Sequence, residues 1–215
     1  MQPILILSAG HSPLDPGAIA GVRGIEYEIT TSLCWEIAGA FGLLERARGV
    51  AGTPVAIVPT VSLNQKLKWV NALSDVLLER RNLPHWALEI HVNAHTNTAA
   101  NGVEAWHWPS NTSGGYIANE LTQAAAKEGF RNRGRKGTKD LYWIRKAKCA
   151  SVLLEVGFIT NAEDRAKLVI GRTRAAIARR VATAIMDLGP RVGETLRRKA
   201  PSPIVVPDES GLVLP

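Results

Sequence analysis

Four ionisable residues stand at or near the ends of apolar runs. His11 follows residues 4–7 (I-L-I-L), Glu26 heads an amphipathic segment, His91 lies toward the end of residues 86–92, and Glu155 interrupts V-L-L-E-V-G-F. Two imidazoles and one carboxylate with an open fourth position form a catalytic zinc set. A further carboxylate beside them can take a proton from an attacking water. Glu155 is the most informative single residue, because a carboxylate buried without a partner is costly and calls for a metal or a cation nearby. A histidine after a strand is more often structural than a ligand. Residue chemistry alone therefore does not choose His11 and His91 over His85, His95 and His107.

These residues need a scaffold that brings distant segments together. Short apolar runs at 4–7, 54–58, 86–92, 102–108, 141–144 and 151–156 read as strands. Between them, helical spacing is carried by Ile29, Leu33, Ile37, Ala40 and Leu44, by Leu63, Leu67, Val70 and Leu77, and by Ile117, Leu121 and Ala125. A last helix starts at Asn161 as N-cap, with Glu163 and Asp164 in its first turn and Ile177, Val181 and Leu188 on its apolar stripe. Strands alternating with helices predict a single α/β domain, a mostly parallel twisted sheet of about six strands with helices on both faces. In such sheets ligands bind at the carboxyl ends of the strands. The domain is expected over residues 1–189, ending at Pro190, with 190–215 a basic and then Pro-rich tail.

Composition narrows the class. Hydrophobic residues are 46% and charged residues 21% of the 215, which excludes global disorder. No apolar run approaches the roughly 20 residues of a membrane span, and residues 4–7 are too short for a signal segment. Cys34 and Cys149 sit among apolar neighbours and read as inert thiols. Segments 131–148 and 172–199 carry +7 and +6 against a total of +7, so the rest of the chain is −6. Two basic patches on an acidic body suit an anionic partner, with solvated helix faces as the plainer reading.

The sequence resembles a known family in four ordered places. G-H-S-P-L-D-P-G-A (residues 10–18) resembles the G-H-G-G-x-D-P-G-A opening of the zinc-dependent N-acetylmuramoyl-L-alanine amidases, type 3. E-Y-E (26–28) is similar to that family's first-helix motif, I-H-V-N-A-H (90–95) to its S-I-H-x-N-A segment, and L-E-V-G-F-I-T-N (154–161) to its closing motif. The resemblance implies one Zn2+ per chain held by His11, Glu26 and His91, with Glu155 as the catalytic glutamate. Glu28 competes with Glu26, but the two differ by about 200° around a helix, and the motif register favours Glu26. R-G-R-K (133–136) and L-Y-W-I-R (141–145) resemble stretches near the family's substrate groove. That implies substrate contacts from Arg133, Lys136 and Arg145, and Asn93, just past the end of its strand, is expected to add another. His85 and His107 are expected to be structural, His95 a surface or supporting residue, and Asp15 an organiser of its loop.

Two departures are visible: Ser12-Pro13 replaces Gly-Gly, and Glu89 stands where the family has Ser, on the same strand face as His91. A carboxylate there could tune the site or hydrogen-bond a ligand histidine. The implied activity is hydrolysis of the amide joining N-acetylmuramic acid to L-alanine, with peptidoglycan as partner. The alternatives are a zinc carboxypeptidase or aminopeptidase on a similar fold, or a non-enzymatic basic nucleic-acid-binding protein; the latter has no account of Glu155, and no nucleic acid is expected. A wall substrate without a visible export signal suggests a phage or prophage endolysin, made in the cytoplasm and acting on the wall after release. The basic stretch 191–199 is a candidate contact for anionic envelope lipid.

Overall fold

The computed structural model describes residues 2–21, 24–50, 52–79 and 82–199. Along the chain run β1 (Ile4–Ala9), α1 (Glu26–Arg48), β2 (Val55–Ile57), α2 (Leu63–Glu79), β3 (His85–Asn93), β4 (Val103–His107), α3 (Thr112–Ala126), β5 (Asn132–Gly137), α4 (Tyr142–Lys146), β6 (Ala150–Phe158), α5 (Ala162–Leu168) and α6 (Gly171–Lys199). The six strands form one sheet in the order β2-β1-β3-β6-β4-β5. All neighbouring pairs are parallel except β4 with β6. This is the expected α/β architecture.

Period-two alternation sorts the strand residues onto two faces. Leu5 and Leu7, Leu88 and Ile90, and Val152 and Leu154 point to one core with Leu33, Ile37, Ile117, Leu121, Val181 and Ile185, under α1, α3 and α6. Ile6, Ala87 and Leu153 point to the other, with Leu67 and Val70 of α2 and Trp143 and Ile144 of α4. On that second face each strand changes character toward its site-bearing end. Ala87 is followed at the same parity by Glu89 and His91, and Leu153 by Glu155.

Four sequence expectations are corrected. Residues 141–144 are not a strand: Trp143 and Ile144 are consecutive yet pack into the same core, which the short helix α4 allows and alternation does not. The strand β5 escaped notice because N-R-G-R-K-G has no apolar period; it is an edge strand paired only with β4, where lysine and arginine are at home. The last helix is two. Their break is closed by Arg174, whose guanidinium donates to the Leu168 carbonyl at 2.8 Å. Inside α2, Leu63 is exposed and Lys66 takes the inward place.

Pro190 does not end the helix either: α6 runs through it to Lys199. A proline leaves the carbonyl four residues earlier without its amide partner. Here that carbonyl, Met186 O, accepts from the side-chain amide of Gln2 at 3.1 Å. The neighbouring Gly189 makes this possible, since a Cβ there would collide with Gln2. Leu188 and Val192 are buried and Leu196 packs on the same core, so the apolar side of this segment faces the protein itself. The remainder of the expected tail, 200–215, lies outside the described residues.

Candidate metal centre and active site

The site begins where β1 stops. Gly10 N–H donates to Ile90 O at 2.7 Å, extending the β1–β3 ladder by one residue, and Gly10 O accepts from Thr30 Oγ1 at 3.0 Å. A Cβ on Gly10 would lie 2.7 Å from the His91 ring, so only glycine lets the two segments meet. The next residue, His11, takes φ = 62°, a left-handed conformation uncommon outside glycine and characteristic of functional sites. Gly17, at φ = 72°, passes so close that a Cβ would lie 2.6 Å from both Glu26 Oε2 and the His11 ring.

Glu26 opens α1 and is buried, whereas Glu28 is exposed. Its Oε2 accepts from Ala18 N–H at 3.0 Å and lies 3.3 Å from His11 Nε2. Its Oε1 accepts from Val92 N–H at 3.1 Å and lies 3.0 Å from His91 Nδ1. The two imidazoles meet edge to face with centroids 5.2 Å apart. One ligand atom from each of His11, Glu26 and His91 falls within a 4.8 Å span, which a single ion can bridge.

Each histidine also presents its other nitrogen to an outer carboxylate. His11 Nδ1 is 3.5 Å from exposed Asp15, and His91 Nε2 is 3.3 Å from Glu89 Oε2, which is buried. Asp15 otherwise ties its loop through reciprocal backbone bonds with Ser12, as expected. Behind Glu89 stands Lys66, 2% exposed, 3.5 Å from Glu89 Oε1 and donating to the Ala9 carbonyl.

Glu155 pairs with His91 in the parallel β3–β6 register and with Glu104 in the antiparallel β4–β6 register. His91, Glu155 and Glu104 thus form one row across three strands. Glu155 Oε2 is buried with no hydrogen-bond partner. Burial, with the charges of Glu26, Glu104 and Glu89 outweighing that of His91, pushes its carboxyl up to about 7. Glu104 is treated oppositely. Its burial is overcome by Lys136 and Arg133, each 2.6 Å away, and its carboxyl is held below the usual range.

The charges around the histidines explain what the centre attracts. Burial alone would lower His91, but Glu26 and Glu89 raise it to about 10; Glu26 also raises His11. Burial would raise Glu26, yet both histidines and the Ala18 amide bring it well below the usual carboxylate range. Such a centre draws positive charge. The mixed N/O donors and the orphaned Glu155 oxygen fit a divalent cation of the zinc type.

The remaining expected residues fall into two groups. Asn93 donates to Glu104 Oε1 at 3.1 Å, so Asn93, Arg133 and Lys136 converge on one carboxylate beside Glu155. Arg145 does not join them: it is exposed and stacks over Tyr142 with 5.6 Å to the ring centroid. Tyr142 in turn lines an open pocket of ≈ 170 Å³ that also touches His11, Lys66, Glu89 and His91. His85 is held by Ser74 and Leu83 O at the far end of β3, His107 by Trp108 O, and His95 by the Asn97 amide. None of the three joins the His11–Glu26–His91 cluster.

The first basic patch is partly neutralised. Arg133 and Lys136 serve Glu104, and Lys148 pairs with Asp75 at 2.6 Å. In the second, Arg180 pairs with Glu128 at 3.0 Å and Arg191 stacks on Tyr116. Glu104 and Lys66 escaped the sequence reading. Glu104 looks like one polar residue on an alternating strand, and Lys66 like one charge on an amphipathic helix. The only available signal for Lys66 was its place beside Leu67, one turn before Val70.

Among the described residues, no helix is long and apolar enough to cross a membrane. Comparison with known proteins agrees with the geometry. The amidase LytC of Bacillus subtilis (strain 168) is 29% identical over 174 residues, covering 76% of this chain but 31% of LytC, so the chain spans about a third of that relative. The crystal structure of an N-acetylmuramoyl-L-alanine amidase from Clostridium difficile 630 shares the fold, with a TM-score of 0.73 at 17% identity over 87% of this chain and 97% of that one. So does the catalytic domain of the CD27L endolysin targeting Clostridia difficile, with a TM-score of 0.64 at 22% identity over 86% and 97%. The family model Amidase_3, N-acetylmuramoyl-L-alanine amidase, matches residues 5–187, from β1 into α6 and across every residue of the centre; the chain belongs to that family.

Proposed function

We propose that this chain is a zinc-dependent N-acetylmuramoyl-L-alanine amidase that cleaves the amide between N-acetylmuramic acid and L-alanine in peptidoglycan. The observation that carries the reading is a buried, unpartnered carboxylate, Glu155, on the strand beside a His11–Glu26–His91 cluster whose ligand atoms lie within 4.8 Å.

His11, Glu26 and His91 would hold the ion. When bound, zinc supplies Lewis-acid polarisation of the scissile carbonyl and acidification of water. The chain's own residues do the rest. Glu155, poised near neutrality by burial, accepts the proton of the attacking water and returns it to the leaving amine of L-alanine. The new C–O bond forms as the C–N bond breaks, and the proton lost by water is the one gained by nitrogen. Glu104 gathers Asn93, Arg133 and Lys136 beside Glu155, and the two cations there support a contact with stem-peptide carboxylates. The fold likeness to an endolysin catalytic domain supports a lytic role on the wall.

The test is product analysis by mass spectrometry of purified peptidoglycan treated with zinc-loaded protein. Release of stem peptides with free L-alanine amino termini, leaving the glycan chains uncut, is the expected result. Release of terminal D-alanine alone would overturn it in favour of a carboxypeptidase.

A further inference from the structure

Glu89 is one of two places where this chain departs from the family motif, and its two oxygens are surrounded by charged partners. Its two oxygens have different partners. Oε2 faces His91 Nε2 at 3.3 Å and Oε1 faces Lys66 Nζ at 3.5 Å. Both charged side chains are 2% exposed. A buried carboxylate is retained only where charge and hydrogen bonds compensate it, and here both are present. Lys66 also donates to the carbonyl of Ala9, two residues before His11. One ammonium on α2 thereby ties the end of β1, which carries His11, to the residue that touches His91. Meanwhile His91 Nδ1 is turned to Glu26.

We propose that Glu89 is a positioning residue for the metal centre: neutralised by Lys66, it accepts the Nε2–H of His91, fixes that ring's tautomer and leaves Nδ1 as the ligating atom. The inference rests on the metal site of the proposed function. A carboxylate behind a ligand histidine orients the ring and raises its basicity, and losing such a partner typically weakens metal affinity about 10- to 100-fold. Neutral imidazole can protonate only one nitrogen, so an acceptor at Nε2 decides which nitrogen stays free. Asp15 bears the same relation to His11 Nδ1, but at 76% exposure water competes for that bond. Glu89 therefore carries the larger effect.

The test compares wild type, Glu89→Gln and the double variant Lys66→Met/Glu89→Leu, which removes the buried pair together so that neither charge is stranded. Zinc dissociation constants come from chelator competition, and the His91 tautomer from nitrogen-15 NMR of the zinc-loaded proteins. Wild type should bind one zinc and show a slowly exchanging His91 Nε2–H. Glu89→Gln keeps an acceptor and should keep that signal with a smaller loss of affinity. The double variant should lose the signal and weaken zinc by about 10- to 100-fold, with its backbone amide spectrum otherwise preserved. Unchanged affinity in the double variant, with wild type binding normally, overturns the proposal alone. Abolished stoichiometric binding in Glu89→Gln overturns it by making Glu89 a ligand. Absence of zinc binding in wild type overturns the metal reading itself, and the proposal with it.

Discussion

Glu104 and Glu155 stand directly opposite each other across the antiparallel β4–β6 ladder, two carboxylates on one face of one sheet. Like charges so placed repel, and the fold resolves the conflict asymmetrically. Arg133, Lys136 and Asn93 all converge on Glu104, while Glu155 keeps a buried oxygen without a partner. Two similar groups thereby acquire opposite proton affinities, the condition under which one remains ionised and the other can exchange a proton near neutral pH.

Glu155→Gln tests the proton-transfer role. It preserves volume but cannot accept a proton at neutral pH. Amide hydrolysis should fall by at least about 10²–10⁴-fold, the usual contribution of general acid–base catalysis, while zinc content stays at one per chain. Full activity would exclude Glu155 as the base.

The same variant has a pH signature in the metal-free protein. Burial raises Glu155 from 4.5 to about 7, so the folded state holds its proton more tightly than the unfolded state. Glu155 therefore costs wild type up to about 3 kcal/mol of stability as pH rises across that window, a loss that Glu155→Gln lacks, while the losses that His91 and His11 bring above about pH 6.5 are common to both. Melting curves of both proteins should converge at pH 4 and separate above pH 7, with the variant more stable.

Glu104→Gln removes one of the charges that raise Glu155 and leaves Arg133 and Lys136 in place. Both changes favour the ionised form of Glu155. The acid limb of the kcat/KM profile should move to lower pH, and a shift upward would contradict the assignment.

Metal analysis separates the histidines. His11→Ala and His91→Ala should lose the ion, whereas His107→Ala, whose native ring is bonded to Trp108 O, should retain it. Near-stoichiometric zinc in either of the first two would mean a different ligand set.

Gln2→Ala leaves Met186 O without its donor at the Pro190 gap. A lost hydrogen bond of this kind is worth about 1 kcal/mol, or about 2–4 °C in melting temperature for a domain of this size. Adding Pro190→Ala should recover the loss by restoring the amide.

What the sequence made legible follows from the range of the interactions involved. β1, α1 and the inward residues of α3 could be read because apolar periodicity is local. Helical rotation, local too, required only that one of Glu26 and Glu28 face inward, and the motif register chose Glu26. Pro190 misled because its missing amide is compensated by Gln2, at the opposite end of the domain. α4 misled because a short apolar run fits either element until its neighbours are known. Glu104 and Lys66 were invisible because their roles are set by other strands: nothing near Lys66 in sequence announces that Glu89 and the Ala9 carbonyl await it.

The position of β6 has a consequence for synthesis. It is the last strand among the described residues, yet it lies between β3 and β4. Before it emerges from the ribosome, β2-β1-β3 and β4-β5 are two unjoined pieces, and Glu155, the proton acceptor of the proposed reaction, has not been translated. A product terminated ahead of residue 150 contains His11, Glu26 and His91 but lacks Glu155 and the strand that joins the two pieces. On the proposed mechanism, catalytic competence therefore arrives in one late step of synthesis.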